Sequence, residues 1–319
     1  MRSARALGLV LTLAALPACA RMPPGALDER AMRGTTLPAG PFPKTYVNPV
    51  DRTSTLVASP RRIVSMSLGS DEMLVALVDP ARLAGVTYLA DDVGYSMVAG
   101  MVPPGVARIG EEPEAIVALA PDLVVAAGYT RADALLQLDA AGASVIRAVS
   151  PSGIDDVLSA LTTLGRATGE EAKADALVGA LRARCARVAE RAARRRKLRA
   201  IVWDGGVAFT RGTPAGDLLM RAGAIDVAAE AGLTGAPSVG SEALLAMRPE
   251  VVIAGIDGDV VRRSDSWLLG GDALVAALPA ARRGAVHGVP RKTLGSVSHH
   301  IVDALEAIDA LFEEEAKQP

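Results

Sequence analysis

EAIVALAPDLVVAAG, from Glu114 to Gly128, and EALLAMRPEVVIAGI, from Glu242 to Ile256, are two versions of one unit set 128 residues apart (242 − 114). Each opens with an acidic residue and a short apolar-periodic stretch that predicts a helix. Pro121 or Pro249 then ends that helix, because proline lacks a backbone donor and clashes with the turn before it. A run rich in β-branched residues follows, Leu123 to Ala126 in one copy and Val251 to Ala254 in the other. Neither run alternates polar with apolar, the pattern of parallel strands covered on both faces. The unit reads as helix, turn, buried strand, used twice. Other strand-like runs are Arg62 to Ser65, Leu83 to Val86, Ser144 to Arg147, Ala200 to Trp203 and Ala285 to Val289. They alternate with helical stretches, so both halves of the chain are expected to be α/β.

Between the two copies lies the longest helical signal, from about Ile154 to Lys197. Ile154, Val157, Leu158, Leu161 and Leu164 keep a helical period, which resumes after a break near Gly165 to Gly169 with Ala174, Leu177, Val178, Leu181 and Cys185. Arg182, Arg184, Arg187, Arg191 and Arg194 to Arg196 decorate its far end, as a solvated face that complements the helix dipole. Cys185 falls in the apolar series and is expected to be a packed thiol. The expected organisation is a first lobe over 60–153, a connecting helix over 154–198 and a second lobe over 199–319.

The first 18 residues read as an export signal: Arg2 and Arg5 precede an apolar run from Leu7 to Leu16 that is too short to span a bilayer. Leu16-Pro17-Ala18-Cys19 resembles a lipoprotein processing site, which makes Cys19 the expected point of lipidation and membrane anchoring. Residues 19–59 are rich in Pro and Gly and read as a tether. The expected destination is the periplasm. Across all 319 residues the formal net charge is −2, which gives no footprint for nucleic acid. Two Cys exclude a disulfide scaffold and a Cys-type zinc site. Aromatics are 3% of the chain and His only three residues, so any that reach a site are informative.

RRIVSMSLGSDEML (Arg61 to Leu74), the two repeat copies, the connecting helix and TRGTPAGDLLMRAGAIDVA (Thr210 to Ala228) together resemble the periplasmic substrate-binding proteins of ABC importers for cobalamin, iron–siderophore complexes and haem. The resemblance runs from about Pro60 to Phe312. It implies two Rossmann-like α/β lobes with parallel-type sheets, joined by a long rigid helix, with the ligand held in the cleft between them. It also carries a role onto Glu114 and Glu242, one per lobe, as glutamates that dock onto permease arginines. From the residues alone, each complements a helix N-terminus. The expected partners are a small metal-chelate ligand and the permease subunits, with the chain itself a monomer and no cofactor.

Ligand contacts are expected on loops after strand ends. Tyr88 and Tyr129 follow strand-like runs in the first lobe, and a tyrosinate there could ligate haem iron. Trp203 ends a strand before Asp204-Gly205-Gly206, where glycine permits close backbone approach; Phe209 and Arg211 follow. His299 and His300 come after Ser296-Val297-Ser298, which offers an N-cap, and so fall in a first helical turn. Either can meet a chelated metal, bond a polar ligand edge or cap the helix; no bare-metal site is firm. The family often carries Pro-Arg at this place, so the His pair removes an anion-binding group. No GxSxG, P-loop or HExxH motif occurs, and no catalytic residue is assigned. A bare-metal importer component and a periplasmic enzyme or sensor module are the alternatives, and corrinoid, haem and siderophore all stay open.

Overall fold

The structure, a computed structural model, describes residues 34–148, 150–263 and 273–317. The export signal and Cys19 lie outside them.

The first lobe runs β3 (Ile63–Ser65), α1 (Leu68–Leu77), β4 (Leu83–Thr87), β5 (Ala107–Ile109), α2 (Pro113–Ala118), β6 (Leu123–Ala126), α3 (Ala132–Ala140) and β7 (Ser144–Arg147), preceded by the short strands β1 (Lys44–Val47) and β2 (Thr53–Leu56). Its sheet is parallel, in the order β5-β4-β3-β6-β7. Two helices follow, α4 (Ile154–Thr168) and α5 (Glu171–Ala192). The second lobe contains β8 (Arg199–Asp204), β9 (Val207–Phe209), α6 (Pro214–Arg221), β10 (Ile225–Asp226), α7 (Val227–Glu230), α8 (Ser241–Met247), β11 (Val251–Ile256), α9 (Ala273–Ala276), α10 (Pro279–Arg282), β12 (Val286–Pro290), α11 (Arg291–Leu294) and α12 (Ile301–Glu315). Its parallel order is β10-β8-β11-β12, with β9 added antiparallel to β8. The expected strands are found, and each is buried as the unalternating runs require: β6 and β11 are covered along their whole lengths.

The repeat extends into the backbone. Ala120 (φ 45°) and Arg248 (φ 51°) are equivalent positions, each just before the proline. A following proline disfavours the right-handed helical region, and both residues lie outside it, in the left-handed one. Ala120 N then bonds Val117 O at 2.9 Å, and Arg248 N bonds Leu245 O at 3.1 Å. At the start of each central strand an arginine caps the exiting helix: Arg62 Nη2 donates to Leu119 O at 2.6 Å, and Arg199 Nη2 to Met247 O at 3.0 Å. Asp122 and Glu250, again equivalent, each accept the backbone N–H of that arginine at 2.9 Å.

Three expectations are corrected. The tether reading fails from residue 34 on, because Leu37, Tyr46 and Leu56 are buried and β1 and β2 pair as a hairpin. Lys44, 1% exposed, donates to Arg166 O at 2.8 Å and to Glu171, which fixes this hairpin to the α4–α5 corner. The connecting stretch is also two helices rather than one rod. Gly169 (φ 78°) ends α4, and a Cβ on Gly165 would fall 2.4 Å from Ala174 Cβ, so the pair packs face to face. At 1.5 Å per residue α5 alone is about 33 Å long. Its arginines are not merely solvated: Arg184 pairs with Asp303 and Glu306, and Arg191 and Arg195 both hold the buried Asp309. Those pairs bind α5 to α12. Cys185 is half-buried against the core, and burial pushes its thiol pKa up.

Candidate functional site

The carboxyl ends of both parallel sheets carry a cavity. In the first lobe, β3 ends one residue before Met66, β5 leads into Glu111 and Glu112, and β6 leads into Tyr129. These residues, with Glu114, Arg131, Asp133 and Gln137, line a cavity of about 280 Å³. It is an acidic wall, and its arginine is already held, since Arg131 Nη2 lies 2.6 Å from Asp133. Tyr88 and Tyr129 stand out from it at 66% and 65% exposure. Partial burial raises the pKa of the Tyr129 phenol, and the charges of Glu111 and Asp71 and the nearby Tyr88 raise it further. The Tyr129 hydroxyl therefore keeps its proton.

Two acids behind this wall escape a sequence reading. Asp71 and Glu72 sit in the first turns of α1, where a carboxylate normally just complements the helix dipole. Both are buried instead. Asp71 Oδ2 accepts from Thr87 N at 3.2 Å and Thr87 Oγ1 at 2.5 Å, and burial pushes its pKa up to about 7. Glu72 accepts from Met97 N at 2.8 Å and from the Ser298 hydroxyl of the second lobe. Only three-dimensional placement separates these acids from ordinary first-turn ones; the sole sequence hint is that they lie inside the motif that carries the family resemblance.

In the second lobe, Val202, Asp204, Phe209, Thr213, Pro214, Ala215, Leu294, Gly295 and Val297 line a cavity of about 230 Å³ that is mostly apolar. Phe209 is among these lining residues. Trp203 is not: it is 7% exposed and its indole N–H donates to Val239 O at 2.8 Å, so it belongs to the core. Gly205 and Gly206 do not serve close approach either. A Cβ on either would meet nothing within 4 Å, and both have positive φ (56° and 85°), as the two-residue β8–β9 hairpin demands. Arg211 is exposed and turned onto Ala229 O at 3.3 Å, away from the cavity lining.

The lobes touch at the start of α1. A Cβ on Gly69 of α1 would come within 2.9 Å of Val297, which lines the second cavity, while Met66, just before α1, lines the first. His299 and His300 lie beyond this contact and line neither cavity. They precede α12 in a tight turn, with Ile301 N bonding Ser298 O at 3.0 Å and Asp303 N bonding His300 O at 2.9 Å. His300 Nδ1 is 2.9 Å from Asp303 Oδ2. The His299 ring is 4.1 Å from the His300 ring, its Nδ1 is buried without a partner, and burial lowers its pKa to about 4. The structure therefore sets Tyr88 near Tyr129, puts Phe209 in the second cavity and leaves the His pair out of both. Among the described residues no group of three or more His, Cys, Asp or Glu is set to hold a metal ion.

Glu114 and Glu242 are both exposed, in the first turns of α2 and α8. They are not alike in surroundings, because Glu114 also rims the first cavity.

This architecture has known counterparts. A cobalamin-binding protein of Halobacterium salinarum is 27% identical over 312 residues, covering 95% of this chain and 83% of that protein. An uncharacterized ABC transporter substrate-binding lipoprotein of Bacillus subtilis is 26% identical over 271 residues, covering 81% and 83%. The solved structure of a periplasmic haem-binding protein from Pseudomonas aeruginosa superposes with a TM-score of 0.63 at 25% identity, over 81% of this chain and 94% of that one. The family profile for periplasmic binding proteins matches residues 63–293, which takes in the central strands of both lobes, and the chain belongs to the periplasmic binding protein family.

Proposed function

We propose that this chain captures a corrinoid in the cleft between its lobes and delivers it to the membrane permease of an ABC importer. The observation that carries the reading is the charge of the two walls. One is acidic and bears Tyr129, the other is apolar, and the basic groups at the strand ends are held by acids: Arg131 by Asp133, Arg291 by Asp204 and Lys292 by Asp259. A corrinoid is a broad macrocycle edged by uncharged amides, which suits an apolar face opposite hydrogen-bonding groups. Haem propionates and anionic siderophores need unpaired cations. The cobalamin-binding relative supports the same choice. Those relatives are named as binding proteins, and the proposed role involves no turnover.

Docking through Glu114 and Glu242, export by residues 1–18 and lipidation at Cys19 complete the proposal; the lipoprotein relative is in keeping with the last. Exposed charges of this kind act mainly on orientation and association rate. Titration of the purified protein with cyanocobalamin, cobinamide, haemin and a ferric hydroxamate, followed by visible absorbance, tests the ligand. Corrinoid binding alone is expected; haemin or siderophore binding without corrinoid contradicts it. Glu242→Lys is expected to lower uptake in cells while leaving affinity unchanged. Uptake that persists undiminished removes the docking role.

A further inference from the structure

Arg291 opens α11 directly after β12, at the ligand-facing end of the second sheet. Both terminal nitrogens of its guanidinium are engaged. Nη1 is bonded to Asp204, Nη2 donates to Gly255 O at 3.0 Å, and the far more exposed Asp257 stands off at 3.8 Å from Nε. Three elements build this arrangement: the end of β8 supplies Asp204, α11 supplies Arg291, and β11 supplies a glycine. A Cβ on Gly255 would fall 2.9 Å from Asp204 Oδ2 and 3.0 Å from Arg291 Nη1, so the pair occupies a notch that only glycine leaves open. Asp204 itself lines the apolar cavity beside Phe209, Leu294 and Val297. The carboxylate thus stands at the cavity with the guanidinium held against it, and neither side chain is sealed off, at 26% and 39% exposure.

We infer that Asp204 is a specificity-determining residue: by holding Arg291 it withdraws a positive charge from the cavity and excludes ligands that bear carboxylates, such as porphyrins with propionate arms. The inference rests on the corrinoid reading, because it explains how this fold turns away an anionic macrocycle of similar breadth. An Arg released beside an apolar wall is a ready-made propionate partner, since its fork of donors matches a carboxylate.

The test uses the full chain and haemin, with cyanocobalamin titrated in parallel. Asp204→Asn keeps the shape and removes the charge, and haemin affinity is expected to rise about tenfold or more. Adding Arg291→Gln to that variant is expected to cancel the gain. Arg291→Gln alone leaves the Asp204 carboxylate unpaired at the cavity, so haemin binds still more weakly and cationic diaquacobinamide gains on dicyanocobinamide. This second variant decides the matter if thermal melting shows Asp204→Asn to be unfolded. Unchanged haemin affinity in a folded Asp204→Asn protein overturns the inference, as does a gain that survives loss of Arg291. Wild-type protein that binds haemin and no corrinoid defeats the underlying functional reading instead, whatever the variants do.

Discussion

At the amino ends of their central strands the two lobes use the same parts. Arg62 and Arg199 cap the helix of the repeated unit, Asp122 and Glu250 take the backbone N–H of those arginines, and Ala120 and Arg248 turn the chain through positive φ. At the carboxyl ends the lobes share almost nothing. One presents Glu111, Glu112, Asp133 and Tyr129; the other presents Phe209, Pro214, Leu294 and Val297. The end that makes the fold is duplicated, and the end that meets a ligand has been written separately in each lobe. A ligand held between them must offer an apolar face to one side and polar groups to the other.

The lobes also differ in how they join α5, and this gives the largest expected effect. The second lobe is fastened through Asp309, 1% exposed, which both Arg191 and Arg195 hold. Asp309→Ala leaves the nearly buried Arg195 without its carboxylate and is expected to cost about 3–5 kcal/mol in denaturant unfolding. A loss under about 1 kcal/mol would mean that the helices dock by apolar packing alone.

The next contrast is in pH. Asp71 of the first lobe is raised from the usual 3.8 to about 7, and His299 of the second is lowered from 6.5 to about 4, both chiefly by burial. Folded Asp71 keeps a proton that the unfolded chain releases, so its contribution is present at low pH and is lost as pH rises from about 4 to 7. Folded His299 refuses a proton that the unfolded chain takes up, so stability is lost as pH falls from 6.5 towards 4. Between about pH 4 and 6.5 the two slopes oppose each other in the wild type, so relative to it the melting temperature should climb with pH in Asp71→Asn and fall with pH in His299→Gln. Parallel curves for wild type and both variants would refute the opposed titrations.

Arg62→Met and Arg199→Met sharpen the likeness at the amino ends. Each removes the bond to the equivalent helix-end carbonyl, and Arg199→Met additionally removes only an exposed pair with Glu230, so similar losses of about 1–2 kcal/mol are expected. A difference of more than twofold between them would break the equivalence. The smallest effects concern the walls. Phe209→Ala is expected to weaken corrinoid binding about tenfold, and Tyr129→Phe, which keeps the ring and loses the hydroxyl, only a few-fold. The reverse order would make the first wall the principal contact.

Much of the fold was legible because burial of a regular element leaves a period in the sequence. β6 and β7 fall on the residues read for them, and β11 runs only two residues beyond its expected end. The β1–β2 hairpin left no such mark: strands of four residues among prolines are too short for alternation to register. The site was less legible for a different reason. Whether Trp203 faces ligand or core depends on Val239, 36 residues away, and Asp71 and Glu72 differ from ordinary first-turn acids only through Thr87, Met97 and Ser298. The His pair stood out by rarity, but its surroundings are the cluster of Asp303, Arg184 and Glu72 behind the cleft.

Competition dialysis tests the central claim most directly. Purified protein is equilibrated at neutral pH against equimolar cyanocobalamin and haemin, and the visible spectrum of the retained fraction is read. Unlike walls with Arg131, Arg291 and Lys292 each paired predict one corrinoid retained per chain and no haem. Retention of haem in place of the corrinoid would contradict the account.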